Sequence, residues 1–179
     1  MHCIGTILAL VYMHIKHLVK EQIVMDENEV LLHEDLILLN YEAESKEELL
    51  ENLSKILKEK GYVKDSFSEG VLQREIIYPT GLNTAGVKVA IPHTDAIHVE
   101  KPAILVALLN KPVSFKEMGS GVKDVEAKLI FMLAIKNPSR QVQTLGKLMS
   151  IFSDKDKLLS IYNSTTTKEV IDKLSKILS

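Results

Sequence analysis

The chain has 179 residues, a length that suits one domain with a short appendage. Hydrophobic residues make up 46% and charged residues 26%, and Lys+Arg 22 against Asp+Glu 24 leaves a net charge of −2. That balance argues against a disordered chain and against a dedicated nucleic-acid binder. The single cysteine, Cys3, excludes an internal disulfide framework and a multi-cysteine zinc site, and points to a reducing, cytoplasmic setting.

In chain order, Ile4 to Tyr12 is an apolar run with no Lys or Arg before it. It is too short to span a membrane and lacks the flank of a secretory signal. Met25 is a second candidate start, and residues 1–33 read as an N-terminal extension ahead of a domain over 34–179. Leu36–Leu39 is a short buried-strand candidate. Ser45 with Glu48 is a capping box opening a helix whose face is Leu49, Leu50, Leu53, Ile56 and Leu57, with Gly61 as its stop. Ser66 with Glu69 signals a second helix, lined by Phe67, Val71 and Leu72, with Arg74 and Glu75 near its end.

Pro79, Gly81, Asn83 and Gly86 predict a loop. Val87–Ile91 predicts a strand that runs into Pro92-His93. Ala103–Leu109 and Lys128–Ile135 are nearly continuous apolar runs, as suits strands buried on both faces, and a glycine-rich loop at Met118–Gly121 lies between them. Asn137-Pro138 opens a helix with the face Val142, Leu145, Leu148, Met149 and Phe152. A short helix near Leu158–Tyr162 follows. The last helix starts near Thr166, with Glu169 completing its box and Val170, Ile171, Leu174, Ile177 and Leu178 on its face. The alternation predicts an α/β sandwich, a mixed central β-sheet with helices on both faces.

Two of the six histidines, His93 and His98, flank Asp95 on the loop after Pro92. Pro92 biases Ile91 to extended backbone, which delivers His93 to a strand end. Three readings compete for His93: a structural histidine bonded to backbone, a metal ligand with His98 and Asp95, and a nucleophile that takes a group onto a ring nitrogen. Composition and spacing leave the structural reading ahead of the nucleophile.

Several stretches, in order, resemble the enzyme IIA domain of the mannitol/fructose type in the bacterial phosphoenolpyruvate-dependent sugar phosphotransferase system. They are Leu72-Gln73-Arg74-Glu75, Tyr78-Pro79-Thr80-Gly81-Leu82, Val89-Ala90-Ile91-Pro92-His93, Lys111-Pro112-Val113-Ser114-Phe115 and Leu129–Ala134. The resemblance spans about Leu36 to Leu178, and Pro92-His93-Thr94-Asp95-Ala96-Ile97-His98-Val99 is closest to the galactitol-like branch.

The resemblance implies that His93 carries a phosphoryl group, accepting it from the phosphocarrier HPr and passing it to a cysteine of an enzyme IIB partner. Enzyme IIC at the membrane would be served indirectly. Arg74 would stabilise the moving anion, and Thr80 would add a hydroxyl donor. Mannitol and fructose members carry a second active-site histidine where this chain has Arg140-Gln141. Gln141 fits that register as a hydrogen-bond donor that cannot titrate, and His98 is an alternative second imidazole. Phe115 and Met118 are candidates for the surface near the site. No cofactor, metal or nucleic acid is expected. Galactitol or a related polyol is the implied sugar. The rival role is a free-standing regulatory domain of the same fold; with about 35 residues before the match, a DNA-binding domain beside it is not expected and the transport role is favoured.

Overall fold

The computed structural model describes residues 30–178. The apolar run at Ile4–Tyr12, the alternative start at Met25 and most of the 1–33 extension lie outside the described residues.

Strand β1 covers Leu32–Tyr41, helix α1 Lys46–Glu59 and helix α2 Phe67–Ile77. Two short strands follow, β2 Gly81–Leu82 and β3 Val89–Ala90. Then come β4 Ala103–Lys116, β5 Asp124–Ala134, and helices α3 Pro138–Phe152, α4 Lys155–Tyr162 and α5 Thr167–Leu178. The five strands form one sheet in the order β1-β4-β5-β3-β2. β1 and β4 run parallel, as do β3 and β5, whereas β4–β5 and β2–β3 are antiparallel. The sheet is therefore mixed, as the sequence predicts.

Side chains alternate across β4, and the helices divide with them. Leu105, Ala107 and Leu109 face Leu49, Leu50, Leu53, Phe67 and Val71 of α1 and α2. Ile104, Val106 and Leu108 face Leu148, Ile151, Leu158, Ile161, Val170 and Leu174 of α3, α4 and α5. Each face is thus covered by helices, which is why the paired halves of both long strands, Ala103–Leu109 and Leu129–Ala134, are apolar.

Helix ends obey local chemistry. Ser45 accepts from the Glu48 N–H, while Glu48 Oε2 accepts from Glu44 N–H, one residue before the cap. The same offset recurs at α5, where Thr166 Oγ1 accepts from Glu169 N–H and Glu169 from Thr165 N–H. Gly61, at φ 75, ends α1: its N–H bonds Lys58 O and the Tyr62 N–H bonds Leu57 O, a Schellman closure.

Four expectations need correction. Ser66 makes no side-chain cap for α2, because its hydroxyl is taken by His98. The loop before Gly86 contains β2, which pairs with β3. β4 runs on through Pro112, because the ladder shifts register between Leu108 and Val113 and frees the proline from donating there. In α3 the buried stripe is Thr144, Leu148, Ile151 and Phe152, so Val142 and Met149 are exposed; the face is turned from the one read off the apolar residues.

Leu105 is fully buried where the two long strands pair. Leu105→Ala is expected to lower stability by about 3 kcal/mol in urea unfolding; a loss near zero would mean that the α1–α2 face is not a packed core.

Candidate active site

The site forms where the chain leaves the sheet. Pro92 has no N–H, so β3 stops after Ala90, yet the segment stays beside β5: Leu133 N–H donates to Pro92 O, and His93 lies opposite Leu133. The His93 ring is buried, 8% exposed, and its Nδ1 is 2.7 Å from Ile91 O. A carbonyl can only accept, so Nδ1 carries the proton and the lone pair is on Nε2.

His93 lines a half-open depression of about 480 Å³ with Arg74, Tyr78, Thr80, Met118 and Leu145. The backbone of Gly119–Gly121, at the tip of the β4–β5 hairpin, closes one side. Gly119 and Gly121 take φ 89 and 62, conformations that favour glycine. The hairpin is fastened to β2 through Met118 N–H on Gly81 O. A Cβ at Gly81 would lie 2.7 Å from Lys116 O, so this contact requires glycine.

Arg74 reaches the depression from the last turn of α2. Its Nη1 is 3.7 Å from Asp95 Oδ1, and its guanidinium lies 5.3 Å from the Tyr78 ring centroid. Its Nε is buried and has no hydrogen-bond partner among the described residues. A half-buried cation with an unused donor beside a neutral imidazole is suited to an incoming anion with several oxygens. Around the opening, Ile77 and Tyr78 are exposed and Met118 is partly so, which gives an apolar rim; Phe115 is core.

Desolvation by burial holds the His93 pKa below the ordinary 6.5; the Ile91 bond opposes this, Arg74 adds to it, and Asp95 opposes it. The ring is thus neutral at pH 7, the state a nucleophile needs.

The other sequence candidates separate. Thr80 is in the wall, but its hydroxyl proton is committed to Glu75 Oε2 at 2.7 Å. Gln141 is half-buried on α3 one turn before Leu145, so it shares a face with a lining residue without lining the depression itself. His98 is not brought to His93's depression. Its Nδ1 is 2.8 Å from Ser66 Oγ at the start of α2, about 12 Å along the axis from Arg74, and its ring packs on Gly70, one turn before Arg74; it does not line the depression. Among the described residues no group of three His, Cys, Asp or Glu side chains is arranged to hold a metal ion, and none of the helices is long and apolar enough to cross a membrane. Sequence reasoning missed the Ile91 carbonyl and the Tyr78 ring, since neither a main-chain acceptor nor a stacking partner has a residue-type pattern.

Because the folded pKa of His93 is lowered, the unfolded chain binds the proton first as pH falls below 6.5. Stability is therefore lost through the window from 6.5 down to the folded value. A ring titration by NMR should give a His93 midpoint below 6.5; a midpoint at or above it would contradict the buried, neutral ring.

Residues 30–177 match the family model described as "Phosphoenolpyruvate-dependent sugar phosphotransferase system, EIIA 2". The galactitol-specific EIIA component of Escherichia coli strain K12 is 31% identical over 105 residues, covering 56% of this chain and 69% of that one. The transcriptional regulator ManR of Bacillus subtilis is 34% identical over 119 residues, 66% of this chain but 16% of the regulator. Among solved structures, Escherichia coli enzyme IIA for mannitol, in complex with phosphorylated enzyme IIB, superposes with a TM-score of 0.66. Its identity is 24%, over 82% of this chain and 98% of that one, a likeness of fold. The chain belongs to the EIIA type 2 family of the phosphoenolpyruvate-dependent sugar phosphotransferase system.

Proposed function

We propose that this EIIA domain is a cytoplasmic phosphoryl carrier that accepts phosphoryl from phospho-HPr on His93 Nε2 and passes it to the cysteine of an enzyme IIB. The observation that carries the reading is the His93 ring, fixed by Ile91 with its free nitrogen in a depression shared with Arg74. Nε2 attacks phosphorus in line, and the bond from phosphorus to the donor's leaving atom breaks. The Nδ1 proton stays on the ring, hydrogen-bonded to the Ile91 carbonyl. In the second transfer the IIB thiolate attacks phosphorus and the electron pair returns to Nε2, so neutral imidazole departs. Keeping that proton makes the ring a good leaving group.

Arg74 supplies charge and donors to the phosphoryl oxygens as they rearrange, and it needs little reorganisation because helix α2 already holds it at the wall. The apolar rim at Ile77, Tyr78 and Met118 suits brief docking of HPr and IIB in turn. The match to galactitol EIIA supports uptake of galactitol or a related polyol through an enzyme IIC that this domain serves indirectly. The match to ManR supports a second reading, in which the same phospho-His93 signals to a regulatory partner. Transfer of label to a IIB cysteine separates the two.

With radiolabelled phospho-HPr, His93→Gln is expected to take up no label while keeping the fold, since an amide nitrogen is not a nucleophile. Arg74→Ala is expected to accept slowly, by about 3 kcal/mol in the barrier. The label should be acid-labile and base-stable. Uptake by His93→Gln, or label mapped to His98, would refute the assignment.

A further inference from the structure

We propose that Glu75 is a positioning residue for this transfer, acting on His93 through Thr80 and Ile91; the proposal rests on the phosphoryl-carrier reading above. Glu75 follows Arg74 in α2, and neighbouring helical residues point about 100° apart. Arg74 therefore turns to the depression while Glu75, 4% exposed, turns inward. Burying a carboxylate is costly unless its oxygens are bonded, and here a single residue takes both. Thr80 N–H donates to Glu75 Oε1 at 3.0 Å and Thr80 Oγ1 to Oε2 at 2.7 Å.

The bonds continue toward the nucleophile. Ile91 N–H donates to Thr80 O at 3.3 Å, and His93 Nδ1–H donates to Ile91 O at 2.7 Å. Three links thus run from the carboxylate to the imidazole, and Glu75, Thr80 and Ile91 are all buried, so water cannot replace a broken bond cheaply. The carboxylate anchors Thr80, Thr80 anchors Ile91, and the Ile91 carbonyl sets the His93 tautomer. Burial pushes the Glu75 carboxyl up, and the two Thr80 bonds and the charge of Lys46 oppose this. Either protonation state can keep Thr80 bonded, because a carboxylic acid still accepts on one oxygen and donates from the other.

A purely structural role and a positioning role predict different things. Glu75→Leu leaves the buried Thr80 N–H without its acceptor, a loss smaller than the stability of an ordinary domain, so the fold is expected to survive it. Nε2, however, needs its in-line placement, and a misplacement of about 1 Å slows transfer on the order of a hundredfold. Glu75→Leu should therefore leave the fold intact and spoil the transfer. Glu75→Gln, whose amide can accept from Thr80 N–H and donate to Thr80 Oγ1, should restore most of it.

The test uses the full chain with two readouts. Long-range 15N NMR of the unphosphorylated protein reads the His93 tautomer, and initial rates with phospho-HPr separate the saturated rate from the donor concentration at half-rate. In Glu75→Leu we expect loss of the single Nδ1–H tautomer and a fall of about tenfold or more in the saturated rate, with the half-rate concentration unchanged. Wild-type tautomer and rate in that variant would overturn the proposal, as would a Glu75→Gln protein as slow as Glu75→Leu. Should Glu75→Leu fail to fold, Thr80→Val decides, since it removes one bond and keeps the N–H. A shifted tautomer population with a slower rate supports the chain of bonds, and no change overturns it. If the wild-type protein took no phosphoryl at all, the carrier reading would fall, and the tautomer measurement alone would decide the role of Glu75.

Discussion

The hydrogen bond between His93 Nδ1 and Ile91 O, 2.7 Å long, sets which ring nitrogen can react. A carbonyl two residues back can do this only if it is held still. The sheet holds it from two sides. Leu133 N–H bonds Pro92 O on the β5 side, and Ile91 N–H bonds Thr80 O on the β2 side. The short strands β2 and β3 are therefore more than edge decoration: they clamp the peptides on which the imidazole rests. Pro92 ends the ladder one residue before His93, which frees the side chain to leave the sheet plane.

Helix α2 joins this clamp to the charge chemistry. Its last turn places a cation at the depression and a carboxylate inside the fold, with Thr80 receiving the latter. Its first turn is tied to the same loop by Ser66 and His98, and Gly70 leaves room for Thr94 and His98 against the helix: a Cβ there would lie 2.8 Å from Thr94 Oγ1. The loop that carries His93 is thus seated along the whole of α2. Burying an imidazole and a carboxylate costs folding free energy, and the large apolar interfaces on both sheet faces offset that cost.

Much of this fold is legible in the sequence because its signals are local. The double-sided apolar runs of β4 and β5 announce a buried sheet, and the caps at Ser45, Asn137 and Thr166 open the helices expected of them. The failures share a cause: each depends on a partner distant in sequence. Ser66 looks like a cap until His98, thirty-two residues on, takes its hydroxyl. The α3 face turns because Thr144 is buried and Val142 is not, a matter of how the helix sits on the sheet. β2 has two residues and no periodicity. At the site, the family resemblance singles out His93 and Arg74, which the structure brings to one depression. It gives Thr80 and His98 roles that their hydrogen bonds direct elsewhere, toward Glu75 and Ser66.

The measurement that bears most directly on this account is the identity of the phosphorylated nitrogen. In protein labelled with 15N at histidine and phosphorylated from phospho-HPr, coupling between phosphorus and nitrogen identifies the bonded atom. Coupling to His93 Nε2 is expected, with Nδ1 still protonated and bonded to the Ile91 carbonyl. Coupling to Nδ1 would require that hydrogen bond to break before reaction, and would contradict the claim that it selects the nucleophile.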